Sequence, residues 1–240
     1  MGKTLQNVRF AYIKKVSFCK AKRTKQGVKM KIVFSTMPMR KDLTALYYKA
    51  SGKSSVQYDG KVVFPVNALL AKSIKKDEKI KVVLLSKDDV LGNMVANQKA
   101  FMHELDQINE KIGAHISYEV VVSPFEETLD RHFSLLSDMV DKLEHDAEII
   151  CDITYGPKPV PIVMFSMINF AEKYFGAQVK NIVYGKVDFV DDEQNPGKTK
   201  PANPVLYDVV SLYYINSMTN VMEHKTTEDA VKGLKILLGL

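Results

Sequence analysis

A short stretch of the chain, residues 148–165 with the sequence EIICDITYGPKPVPIVMF, combines three local signals in a fixed order. It opens with an apolar, β-branched run, which contains Ile149, Ile150 and Ile153 and is too short for a helix. A polar elbow rich in proline and glycine follows, and apolar residues then resume at helical spacing. The stretch therefore predicts a buried strand, a tight elbow and a helix, which is the unit that open α/β sheets repeat.

The elbow is a candidate site for an anion. At the carboxyl end of a strand, the loop amides and the positive end of the next helix converge on one point and favour negative charge. Gly156 can adopt a positive φ, Pro157 or Pro159 can begin the helix, and Lys158 adds a cation beside its first turn. A phosphate suits this arrangement. The same residues also fit an ordinary connection, in which Gly156 makes the turn and Lys158 is solvated.

The rest of the chain repeats the alternation of strand and helix. Apolar runs predict further strands at residues 30–36, 79–86, 116–125 and 179–187, and apolar periodicity predicts helices at residues 65–75, 93–111, 126–143 and 228–238. We expect Thr226 or Thr227 to cap the last helix. Residues 188–204 predict a loop, and residues 205–222 a helix or a strand followed by a helix.

This alternation predicts an α/β fold with a Rossmann-like, doubly wound, mainly parallel sheet and right-handed crossovers. We expect three parts, namely a basic accessory β arm at residues 1–29, a Rossmann-like domain at residues 30–222 and a C-terminal helical tail at residues 223–240.

The positive charge of the chain is concentrated at its start. The formal net charge is +6, yet residues 1–41 contain twelve basic and no acidic side chains, so the remainder carries 22 basic and 28 acidic ones. A cationic segment on a mildly acidic body suggests a polyanionic partner, such as nucleic acid or a phosphorylated ligand. The alternative is a solvated edge hairpin, whose lysines discourage pairing with other sheet edges.

Two of the predicted strands end in hydroxyl residues. Ser35 and Thr36 close the strand at residues 30–36, and Thr154 and Tyr155 follow the strand at residues 149–153. Because the carboxyl ends of parallel strands meet at one edge of the sheet, a ligand on that edge would contact both loops.

The run from Asp152 to Pro161, DITYGPKPVP, resembles the signature of CARF domains, the CRISPR-associated Rossmann-like sensors. In that signature a strand ends in Asp, a hydrophobic residue, Thr, His, Gly, an aromatic residue and Arg, before a helix that begins near a Pro. The first strand, which ends in Ser35 and Thr36, agrees with the family, and the likeness extends over residues 30–222. Tyr155, Pro157 and Lys158 stand where the family has His, an aromatic residue and Arg.

The resemblance implies a sensor that binds cyclic oligoadenylate, either tetra- or hexa-adenylate, in type III CRISPR antiviral signalling. It also implies a homodimer with the ring on the two-fold axis. The expected ligand-binding residues are Ser35, Thr36, Met37, Thr154, Tyr155, Gly156, Pro157 and Lys158. Thr154 and the Gly156 amide would donate to phosphates, Lys158 would neutralise them, and Tyr155 or Met37 would pack against adenine.

Two other functions fit the same sequence. A ring nuclease would cleave the messenger without a metal, with Ser35, Thr36 and Lys158 as catalytic residues that stabilise the developing charge. A nucleic-acid-binding protein would use the basic residues 1–41, and its affinity would fall steeply with salt. The spacings of HEPN and restriction-type nucleases, of HExxH or CxxC metal sites and of the GxGxxG fingerprint are missing from the sequence.

We therefore expect neither a cofactor nor a metal. No apolar run reaches the length of about 18 residues that a membrane span needs. Nor does the N-terminus resemble a secretion signal, so we expect a cytoplasmic protein that does not enter a membrane. Cys19 and Cys151 are too few for a disulfide framework, and Cys151 is expected in the core of its strand.

Overall fold

The computed structural model of the protein describes residues 29–51, 57–88, 92–124, 126–224 and 226–240. Almost the whole predicted basic arm at residues 1–29 lies outside this range, and so does most of the predicted nucleic-acid interface at residues 1–41. The described chain divides into two compact units, which meet in sequence between Val210 and Ser211.

The first unit, residues 29–210, contains a seven-stranded sheet. Its strands are β1 Lys31–Thr36, β2 Lys49–Ser51, β3 Lys79–Lys87, β4 His115–Ser123, β5 Glu148–Asp152, β6 Gln178–Asp191 and β7 Thr199–Asp208. Their order across the sheet is β2-β7-β6-β5-β1-β3-β4, and every neighbouring pair is parallel except β6 and β7. The helices of this unit are α1 Pro65–Ser73, α2 Asn93–Asn109, α3 Leu129–Val140 and α4 Val160–Phe170, which a π-helical turn extends to Phe175.

The order of the parallel strands defines the architecture. Chain order runs outward from β1 through β3 to β4 on one side and through β5 to β6 on the other. This is the doubly wound arrangement of Rossmann-like folds, so the predicted fold class is confirmed. The strand order reverses between β1 and β5, and the carboxyl ends of these two strands flank the crevice at that point.

The central strands are apolar because helices cover both faces of a parallel sheet. Ile32, Val33 and Phe34 of β1 are fully buried, and so is Cys151 of β5, as its place in an apolar run predicts. Burial of each such side chain contributes about 1.5–3 kcal/mol relative to exposure. The middle of the sheet is thereby a rigid base for the loops at its carboxyl edge.

The segment at residues 188–204, which the sequence predicts to be a loop, is largely strand. β6 runs on to Asp191, β7 begins at Thr199, and the two pair antiparallel along this extension. Pro201 and Pro204 gave the loop signal, but a proline is tolerated where a strand needs no hydrogen bond from its N–H, as at a sheet edge. Among the described residues, β6 is the partner of β7 at this level, because β2 reaches β7 at residues 205–207.

The second unit, described here for residues 211–240, is helical. It contains most of α5 Val210–Thr219 and all of α6 Thr227–Leu238. The Thr226 hydroxyl accepts a hydrogen bond from the Asp229 amide at 3.1 Å, which confirms the predicted cap. Over the part of the chain that the structure describes, no helix has the length and apolarity that a bilayer crossing requires.

Candidate functional site

The crevice between β1 and β5 is built on paired strand ends. Ser35 of β1 lies in register with Asp152 of β5, so the residues that follow each strand emerge side by side. The structure thus brings the two predicted loops together at the switch point, where doubly wound sheets bind ligands.

Asp152 organises the start of the elbow. Its side chain is fully buried, and its carboxylate accepts hydrogen bonds of 2.9 Å from the Ser35 hydroxyl and 2.9 Å from the Thr154 amide. Burial raises the pKa of Asp152, while the hydrogen bonds from Thr154 and Ser35 oppose that rise. The carboxylate therefore ties the end of β1 to the turn after β5.

The two threonine hydroxyls of the site also join loops. Thr36 Oγ1 donates to the Tyr155 carbonyl at 2.6 Å, and Thr154 Oγ1 accepts from the Gly185 amide of β6 at 2.9 Å. A hydroxyl has one proton and two lone pairs, so Thr154 can donate to Asp152 while it accepts from Gly185. Thr36, whose proton is directed at Tyr155, acts here as a brace for the elbow.

Gly156 is the residue on which the shape of the elbow depends. Its φ is +88°, and a Cβ atom at this position would lie 3.1 Å from Cβ and 3.2 Å from Cγ2 of Thr36. Both the backbone conformation and the lack of space require glycine. The exposed Gly156 backbone can consequently approach a ligand closely.

An open cleft of about 500 Å³ lies above these strand ends. It is lined by Pro38, Met39, Arg40, Lys87, Glu127, Tyr155, Gly156 and Pro157. The volume falls in the range of small-molecule sites, about 300–1,000 Å³. Two cations and one carboxylate face the same space, so the cleft has a net positive lining.

Tyr155 forms the wall of the cleft on the β6 side. Its phenol donates to the Val63 carbonyl at 3.4 Å and shares a hydrogen bond with the Arg40 side chain. Burial, and then the Asp152 carboxylate, raise the pKa of Tyr155 to about 12, although Arg40 opposes them. The Tyr155 ring is half-buried against the core, so little of its face is free to stack on a ligand base. Its hydrogen bond with Arg40 instead holds the guanidinium in place.

Three predicted ligand residues, Ser35, Thr36 and Met37, lie beneath the surface. Ser35 and Met37 are both fully buried, the Ser35 hydroxyl donates to Asp152, and the Met37 amide donates to the Leu85 carbonyl at 2.9 Å. Their direct contact with a ligand stays a prediction. In the structure they support the residues that line the cleft.

The helix start contributes less than the sequence suggests. Pro159 is the N-cap of α4 and Pro161 lies in its first turn, so neither supplies an N–H, and the Val160 amide donates to the Pro157 carbonyl at 3.1 Å. Lys158 is exposed two residues beyond Gly156. Attraction for an anion must therefore come mainly from side-chain cations.

Sequence reasoning named none of the three charged residues that line the cleft as a site residue. Lys87 is the last residue of β3, Arg40 follows β1 by four residues, and Glu127 lies two residues before α3. A usable signal existed for Lys87, because it ends a buried strand that neighbours β1 in the sheet. Arg40 and Glu127 sit in irregular segments, whose path no periodicity predicts.

Comparison with known proteins gives no family assignment, since no protein-family model and no curated protein matches the chain. The fold and the cleft define its class, an α/β protein with a Rossmann-like sheet and a positively charged cleft at the switch point. Within the described residues, no group of three His, Cys, Asp or Glu side chains is placed to hold a metal ion.

Proposed function

We propose that the protein is a sensor that binds cyclic oligoadenylate in the cleft between β1 and β5, as part of type III CRISPR antiviral signalling. The observation that carries this proposal is the meeting of Arg40, Lys87 and the close-packed Gly156 in one cleft at the switch point. The resemblance of residues 152–161 to the CARF signature selects this ligand among the phosphorylated ones.

Phosphate recognition is assigned to side chains. Arg40 presents a planar guanidinium that can bind two phosphate oxygens at once, and Lys87 acts as a point charge. Lys158, which is exposed on the elbow, adds a weaker and more hydrated contact. The Gly156 backbone lets a phosphate approach without a side chain in the way.

Two observations support a homodimer that shares one ring. A cleft of about 500 Å³ suits part of a cyclic oligoadenylate more than the whole ring, so two copies of the cleft would be needed. In the second unit, α6 has no buried residue and exposes Val231, Ile236 and Leu238. Exposed apolar side chains along one helix are typical of a surface that associates.

Binding is favoured over cleavage by the state of the two hydroxyls. The Ser35 hydroxyl donates to a buried carboxylate, and the Thr36 hydroxyl donates to the Tyr155 carbonyl. A group that stabilises charge in a transition state must point its donor at the reacting phosphate. Both protons are directed into the protein, which supports a binding role.

Calorimetric titration with cyclic tetra-adenylate and cyclic hexa-adenylate tests the proposal. Loss of a charge-assisted hydrogen bond costs about 1.5–3 kcal/mol, so we expect Arg40→Ala to weaken binding by roughly 10- to 100-fold. Lys158→Ala removes an exposed charge and should cost less, roughly 2- to 5-fold.

A matched control is Lys72→Ala, which removes one exposed cation from the last turn of α1. In this topology a helix that leads into a parallel strand ends at the amino edge of the sheet, opposite the cleft. Lys72→Ala should leave affinity within about 2-fold of the parent protein, because exposed distant charges are screened. Equal losses for Arg40→Ala and Lys72→Ala, or no binding of either ring, would contradict the proposal.

A further inference from the structure

Lys87 lines the cleft with a side chain whose ammonium group is almost fully buried. Its side chain is only 5% exposed, and Nζ donates to the Pro124 carbonyl at 3.0 Å. Nζ also lies 2.9 Å from Oε1 of Glu127. A buried ammonium is costly without an anionic partner, so the Glu127 carboxylate is what keeps this charge stable at the strand end.

Glu127 is shared between two partners. While Oε1 faces Lys87, Oε2 lies 2.8 Å from Nε2 of His132 on α3. Burial disfavours the charged carboxylate, but hydrogen bonds from Lys87 and His132 outweigh it and lower the pKa of Glu127. The carboxylate is therefore ionised at neutral pH and would keep His132 as a partner if its contact with Lys87 were broken.

The two members of the pair differ in freedom to move. The Glu127 side chain is 37% exposed, whereas Lys87 is enclosed at the end of β3, which lies between β1 and β4. A carboxylate oxygen and a phosphate oxygen make the same charge-assisted hydrogen bond with an ammonium group. A phosphate that enters the cleft can thus replace the Glu127 carboxylate as the acceptor of Lys87, and the exposure of Glu127 leaves that carboxylate room to move.

We infer that Glu127 competes with the ligand for Lys87. The carboxylate holds Lys87 in place, a phosphate of the ligand displaces it, and Glu127 remains bonded to His132. This inference deepens the proposed function, since it relies on that function for the presence of a phosphate in the cleft. Glu127 would then lower the affinity for the ligand without contacting it in the complex, so a list of ligand contacts would not include it.

The first test compares binding of inorganic pyrophosphate to the parent protein, Glu127→Gln and Glu126→Gln by calorimetry. Glu127→Gln keeps the shape of the side chain and removes the competing charge, so we expect affinity to rise by roughly 3- to 10-fold. Glu126→Gln removes the same charge from an exposed neighbour that pairs with Arg131 at 3.5 Å. It should change affinity by less than about 2-fold, because screened surface charges contribute little.

A second test needs no ligand. Acylation by a small amine-reactive reagent, followed by peptide mass spectrometry, measures how accessible each lysine is. In the parent protein Lys87 should react more slowly than the exposed Lys158. Glu127→Gln should increase the acylation rate of Lys87 and leave that of Lys158 unchanged. In the parent protein, without any substitution, saturating pyrophosphate should slow the acylation of Lys87.

The outcomes separate this inference from the proposed function. Tighter pyrophosphate binding and faster acylation in Glu127→Gln support the competition even if no cyclic oligoadenylate binds, in which case only the proposed ligand fails. If Glu127→Gln and Glu126→Gln bind pyrophosphate alike, or if pyrophosphate does not protect Lys87, the competition is refuted whatever the cyclic ligands do.

Discussion

Replacement of Gly156 by alanine tests whether the elbow has the shape that the cleft requires. The φ of +88° at Gly156 is unfavourable for an L-residue, and the new Cβ would press on Thr36, whose own hydroxyl braces the elbow. Two separate penalties are therefore expected, one from the backbone and one from contact with Thr36.

The chain offers a control that isolates the first penalty. Gly197 has a φ of +82°, close to that of Gly156, and a Cβ there would meet nothing within 4 Å. A left-handed conformation costs an L-residue about 1–2 kcal/mol, so Gly197→Ala should lose about that amount of unfolding free energy. At Gly156 the contacts of 3.1 and 3.2 Å with Thr36 add about 1 kcal/mol, for a total of roughly 2–3 kcal/mol.

Urea unfolding of both variants measures the difference directly. Thr36→Ser removes Cγ2, one of the two close atoms, so the double variant Gly156→Ala with Thr36→Ser should recover about half of the extra loss. The coupling should be absent when Thr36→Ser is combined with Gly197→Ala, since those sites do not touch. Equal losses for Gly156→Ala and Gly197→Ala would refute the tight contact between the elbow and β1.

Two further predictions concern the buried carboxylate of Asp152 and the half-buried one of Glu104. Because burial raises the folded-state pKa of Asp152 above the unfolded value near 3.9, its contribution to stability is fully present below that pH and is lost as pH rises through the folded-state pKa. Between pH 4.5 and 8, the unfolding free energy of Asp152→Asn should therefore rise relative to that of the parent protein as pH rises, and a difference that does not change with pH would contradict this. Asp152→Ala leaves two buried donors without an acceptor and should lose about 2–4 kcal/mol of unfolding free energy. Glu104 of α2 accepts from the Val63 amide at 2.6 Å, the Phe64 amide at 3.2 Å and the Asn67 side chain at 2.8 Å. Glu104→Ala should accordingly lose about 2–4 kcal/mol in thermal or urea unfolding, and Glu104→Gln should lose less, because the amide retains one acceptor. Equal losses would contradict a role of the Glu104 carboxylate as acceptor for these three donors.

The fold could be predicted from the sequence because its central strands carry a strong and local signal. Runs such as Ile149 and Ile150 are apolar at consecutive positions and too short for a helix, which favours a strand buried on both faces. The antiparallel extension of β6 and β7 within residues 188–204 escaped prediction, because its prolines indicate a loop unless the pairing partner is known. Which strands pair is decided in the folded sheet, so the local sequence pattern does not predict it.

The candidate site was predicted in part, for the same reason. Gly156 and Thr36 could be placed at one edge, because strand ends of a parallel sheet converge. The direction of the Ser35 and Thr36 side chains could not be predicted, so their inward hydrogen bonds were missed. Arg40 and Glu127 reach the cleft through irregular chain segments, whose path depends on tertiary contacts.

Native mass spectrometry of the protein with cyclic tetra-adenylate and cyclic hexa-adenylate tests the central claim most directly. The proposed function predicts a complex of two chains with one intact ring, and chromatography of the released ligand should return that ring unchanged. Arg40→Ala should reduce the fraction of this complex, while Lys72→Ala should not. Conversion of the ring to linear or 2′,3′-cyclic-phosphate products, or the absence of any ring-bound species, would contradict the account.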